Sequence, residues 1–225
     1  RWVKGEWDVL LDCMFQWMVP GATKVLWYGE EGVDYNVYND APRCSWLIED
    51  LEDNFGYTVD NTADGSFTEI TPDLLASYDI LVIPQMELGD GSKGGDPSSL
   101  PESVVNTIKD FVEGGGGLFI MDSSDFSCYN FFKVHNKILD ALGFSPGGVA
   151  LRFQSDAIYD DVSNLGDPYT PIVDVDTTTD IGAAYQSASG KTTVGLYSCG
   201  SLGVPGIVVI IIPNYEENIP GEELT

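Results

Sequence analysis

Two short runs constrain this chain more than any other feature: DILVIP at residues 79–84 and LFIM at residues 118–121, apolar almost throughout. A strand with one wet face alternates polar and apolar side chains, so an unbroken apolar run belongs to a strand covered on both faces. The intervening segments supply the covers. Residues 44–55 (CSWLIEDLEDNF) place Leu47, Leu51 and Phe55 on one helical face and stop at Gly56. Residues 101–113 carry Val104, Val105, Ile108, Phe111 and Val112, and residues 129–142 carry Phe132, Ile138, Leu139 and Leu142. Thr71-Pro72 is an N-cap followed by proline at the first helical position, which opens a short helix over 72–77. With further strands at 24–28 (KVLWY) and 57–60, the order is α/β, a mostly parallel sheet with helices on both faces.

Beyond about residue 145 the character changes. ALRFQ, AIYDDV, PIVDV, KTTVGLYSC and GIVVIII read as strands between Gly, Pro, Asp and Ser clusters, with little helical periodicity. They are expected as antiparallel additions to the sheet edge, with 206–212 so apolar that it returns to the sheet centre. At the other end, Trp7, Leu10, Leu11, Met14, Trp17 and Met18 recur at three- and four-residue spacing, an amphipathic helix over 2–19 that ends before Pro20-Gly21. It either packs on its own domain or, as residues 1–21, forms an arm that docks on a neighbouring subunit. Trp2, Trp7 and Trp17 are the interface candidates. Residues 22–225 then form a single domain with a β-rich elaboration from about 145.

Charge removes several function classes. Ten Lys and Arg stand against 36 Asp and Glu, a formal net charge of −26, which opposes both nucleic acid and anionic membrane surfaces. A hydrophobic fraction of 43% nevertheless belongs to a chain with a core rather than to an acidic tail. No run of 18 apolar residues exists, so no membrane insertion is expected. The chain starts at Arg1 without Met, which suggests a removed leader or a missing upstream part. Cys13, Cys44, Cys128 and Cys199 lie far apart without a C-x-x-C pair; an even count fits one or two disulfides, and four buried thiols fit as well. N-x-[ST] does not occur, so any glycan would sit on Ser/Thr-rich loops.

The run ITPDLLASYDILVIPQ, the helix ending in FVEGGGGLFIMDSSDF, and NFFKVHNKILDALGF together resemble the class I glutamine amidotransferase-like superfamily, over roughly residues 22–176. The match is nearer to its non-catalytic branch, which occurs in archaeal and bacterial surface or secreted proteins and in intraflagellar-transport subunits. The resemblance implies a flavodoxin-like sheet with function at the carboxyl ends of the strands. Catalytic members carry a cysteine on the turn after the strand corresponding to 118–121. Here that turn reads Asp122-Ser123-Ser124-Asp125, and Cys128 follows later. The only histidine, His135, falls about two turns into the expected helix 129–142, so a serine nucleophile at Ser123 or Ser124 lacks a base in the family's place.

Other constellations are carboxylate-based. The loop 87–96, with Asp90 and Asp96, follows a sheet strand and is the candidate calcium site. Asp156, Asp160 and Asp161 form a second cluster. Asp174, Asp176 and Asp180 have D-x-D spacing, but Thr179 occupies the position where a calcium loop needs glycine. The glycines at 114–117 precede a strand with no lysine in register, which excludes a phosphate cradle and leaves a helix stop. Glu30 or Glu31 with Asp122 or Asp125 could serve a glycosidase-like pair. The expected function is a non-enzymatic extracellular or cell-surface structural subunit that assembles with itself. A carbohydrate- or ligand-binding module of a larger surface protein, with surface glycans as partners, and a carboxylate hydrolase are the alternatives. No cofactor is expected apart from possible calcium.

Overall fold

A computed structural model describes residues 7–28, 45–62, 69–83, 98, 100–122, 132–143, 162–163, 172–195 and 208–212. In chain order the elements are α1 (Trp7–Met18), β1 (Lys24–Trp27), α2 (Ser45–Phe55), β2 (Thr58–Asn61), α3 (Pro72–Leu75), β3 (Ile80–Ile83) and α4 (Glu102–Glu113). Then follow β4 (Gly117–Asp122), α5 (Phe132–Ala141), β5 (Ile172–Asp174), α6 (Asp180–Ser189), β6 (Thr193–Gly195) and β7 (Val208–Ile212).

The main sheet has the order β2-β1-β3-β4-β7, with the first four strands parallel and β7 antiparallel to β4. The chain steps outward from β1 to β2, then back across β1 to β3. With crossovers of one hand, a reversal of direction places successive helices on opposite faces. Accordingly α2 joins the core of Val25, Trp27, Val59, Ile80, Val82 and Phe119 on one face. On the other face α3, α4 and α5 cover Leu26, Leu81, Ile83, Leu118 and Ile120. All four side chains of β3 are buried, as its unbroken apolar run requires. Lys137 ties α5 to the start of α4, its Nζ donating to the Leu100 carbonyl at 2.7 Å and pairing with Glu102 at 2.7 Å.

Helix α1 is part of this core, the first of the two arrangements its apolar stripe allowed. Its Leu11, Phe15 and Met18 are fully buried against the sheet. On its far side Leu10 and Cys13 pack with Tyr185 of α6 and Val194 of β6. A helix apolar around most of its circumference is satisfied only when covered on both sides. Phe15 meets Phe119 edge-to-face at 5.5 Å and Tyr57 at 5.7 Å. The helix leads through a turn with Gly21 at φ 84° straight into β1, so it runs down the sheet face from the carboxyl ends of the parallel strands to their amino ends.

The C-terminal third differs from expectation in three respects. β5 and β6 pair with each other in a separate antiparallel ribbon instead of extending the sheet edge. β7 lies outside β4 at the end of the described order, not at the sheet centre. Between β5 and β6 stands a helix, α6, capped by Thr179 and stopped by Gly190 at φ 71°. Only Gly182 and Tyr185 of α6 are buried, too few apolar anchors to produce a helical period. The segments ALRFQ and most of AIYDDV lie outside the described residues.

Candidate functional site

In a sheet of this order the crevice lies at the carboxyl ends of β1 and β3, where the chain direction reverses. The described residues reach that rim at Tyr28, whose N–H donates to the Val82 carbonyl at 2.9 Å, and at Thr62, whose N–H donates to the Trp27 carbonyl at 3.2 Å. Both are buried. Glu30, Glu31, Asp90, Asp96, Ser123, Ser124, Asp125, Asp156, Asp160 and Asp161 lie outside the described residues, as do Cys44, Cys128, Cys199 and Trp2. Asp122 ends β4, opposite Val208.

His135 is the fourth described residue of α5; residues 129–131, the expected start of this helix, lie outside the described residues. The histidine is fully buried, at 0% exposure. Cys13 is a free, buried thiol; burial, then the neighbouring Asp12, push its pKa up. Trp7 is half-buried against its own core, whereas Trp17 is 38% exposed. The D-x-D segment makes a turn: Asp176 Oδ1 accepts from the Thr178 N–H and hydroxyl at 2.9 and 2.6 Å, which holds that carboxyl below its usual range. A Cβ on Gly182 would overlap the Asp176 carbonyl, so helix and turn fit only with glycine there.

The polar chemistry that the structure does assemble lies at the opposite rim. The Thr23 and Lys24 N–H groups donate to Asp79 Oδ2 at 2.8 and 2.9 Å, so one carboxylate pins the entry of β1 to the entry of β3. Tyr78 reaches β2, its hydroxyl donating to Asp60 Oδ2 at 2.9 Å; burial, aided by that acceptor, pushes the phenol up to about 12. The Tyr-Asp pair that precedes the DILVIP strand is therefore a clamp across three strands. Alongside, the Tyr57 hydroxyl donates to Asp12 at 2.8 Å and accepts from Gln16 Nε2 at 2.8 Å, while Gln16 also bonds the Ala22 carbonyl and the Gly21 N–H. Burial raises the pKa of both Asp12 and Tyr57, partly offset by the Tyr57 bond for Asp12 and by the Gln16 bond for Tyr57. The sequence signal for this network was the polar i, i+4 stripe of Asp8, Asp12 and Gln16 on an otherwise apolar helix.

A groove of about 410 Å³ opens at the same rim, beneath β3 and β4, walled by Asp79, Asp110, Phe111 and the glycines 114–116. Gly115 adopts φ 105°, and a Cβ on Gly116 would strike the Phe111 ring, which packs directly over it. The glycine run is thus a helix stop plus a ledge for an aromatic ring. Buried polar atoms without a hydrogen-bond partner among the described residues include Asp8 Oδ1 and the Trp27 indole nitrogen. Among those residues no group of three or more His, Cys, Asp or Glu side chains could hold a metal ion. No described helix is long and apolar enough to cross a membrane.

Fold and rim together define an α/β protein of the flavodoxin-like kind, with its amino-terminal helix built into the core. Comparison with known protein families, with curated proteins and with solved structures finds no match.

Proposed function

We propose that this protein is a non-enzymatic structural subunit of an extracellular or cell-surface assembly, built from copies of itself on an amidotransferase-like fold. The observation that carries this reading is the state of the groups that acyl-transfer chemistry needs. From the end of β4 the sequence reads Asp122-Ser123-Ser124-Asp125, with no cysteine, and the sole histidine is enclosed at 0% exposure. General-base catalysis needs a base within hydrogen-bonding reach of a bound nucleophile. The charge of −26 favours a well-solvated exterior and requires that any self-contact be made by apolar patches or through cations.

Light scattering and electron microscopy of the purified protein, in high salt with and without calcium, test the reading. Concentration-dependent oligomers or filaments are the expected result. A strictly monomeric particle under all of these conditions refutes it.

A further inference from the structure

We propose that the groove at the amino ends of β3 and β4 receives residues 1–6 of a second copy of this chain, in a head-to-tail contact. The inference rests on the self-assembly reading and names its interface.

The groove carries the carboxylates of Asp79 and Asp110 and no Lys or Arg in its wall. Asp110 is exposed at the end of α4, and the ring of Phe111 lies beside it over the glycine ledge. Such a surface suits a segment that combines cations with a flat aromatic side chain. Residues 1–6 read RWVKGE. They hold two of the chain's ten Lys and Arg within four positions, beside Trp2, and no other four-residue stretch holds two. In a chain of charge −26, complementary attraction between copies has few other sources.

Geometry selects a second copy over the same one. Val19, one residue beyond α1, lines the groove, so the helix ends at the groove's rim and begins at the opposite one. Twelve helical residues span about 18 Å. Six extended residues reach at most about 20 Å, which is consumed in running back along α1 before the segment could turn beneath the sheet. A segment leaving one rim and a groove at the other form a heterologous pair, which propagates without closing.

The test uses the full chain. Sedimentation velocity across a concentration series is run on the parent protein, on Asp110→Lys, on Lys4→Glu and on the double variant, each checked for unchanged far-ultraviolet circular dichroism. Each single reversal is expected to raise the concentration needed for association by about tenfold or more, with partial recovery in the double variant. In parallel, a synthetic RWVKGE peptide is titrated into the full-length protein, with binding expected to weaken in Asp110→Lys and in high salt. If the parent associates and the variants associate equally well, this interface is wrong and self-assembly stands. If the parent never associates, both readings fall; peptide binding to a monomer would then indicate a different cationic occupant.

Discussion

Replacing Phe15 by alanine tests whether α1 is a structural layer or a detachable arm. The side chain is fully buried and makes edge-to-face contacts with Tyr57 and Phe119 at 5.7 and 5.5 Å. Phe→Ala in a packed core costs about 3–5 kcal/mol, and each such aromatic pair contributes roughly 0.5–1.5 kcal/mol beyond area alone. The site cannot easily collapse, because one wall is the central sheet and the other is covered by α6 and the β5-β6 ribbon. A loss of about 4 kcal/mol is therefore expected. With a urea m value of about 2 kcal/mol per molar, the unfolding midpoint falls by about 2 M. Trp17→Ala on the same helix, at a position 38% exposed, is the control and should stay within about 1 kcal/mol. If Phe15→Ala costs less than about 1 kcal/mol, α1 contributes little to the core and its role in the fold has been misjudged.

Three further outcomes follow from the site geometry. Asp79→Ala removes the acceptor of two strand-entry N–H groups that water can reach, so a loss of about 1–2 kcal/mol is expected in the same denaturation assay, with Asp79→Asn recovering part of it. Tyr78 has a folded pKa raised from 10.0 to about 12, so its contribution to stability is complete below pH 10 and is lost as pH rises towards 12. Tyr78→Phe should flatten that alkaline fall in stability, and an unchanged fall would exclude Tyr78 as its source. Cys13 should resist a thiol reagent in the native protein and react in denaturant without any reductant; absence of that thiol would mean that Cys13 is bridged.

What could be read from residues alone follows a physical rule: local periodicity reports which face of an element is buried, not which element buries it. The face Val104, Val105, Ile108 and Val112 of α4 is buried as its spacing predicts. Thr71 caps α3 through the Leu74 N–H, and Gly56 stops α2 at φ 75°. Phe15 escaped the stripe assigned to α1 because that helix has two buried sides, so a single-face pattern underdescribes it. α6 was not anticipated because a helix anchored chiefly by Tyr185 carries no apolar period.

The sequence by itself determined that the chain is an acidic α/β protein with strands buried on both faces, since unbroken apolar runs and single-faced helices leave no other low-energy arrangement. Tertiary structure alone decided the order β2-β1-β3-β4-β7, with β7 outermost among the described strands, and the burial of α1 between sheet and α6. It alone also made the Tyr78-Asp79 pair a clamp on neighbouring strands. These are pairings between residues tens of positions apart. They are chosen by the free energy of closing the whole sheet, to which no local pattern of residues has access.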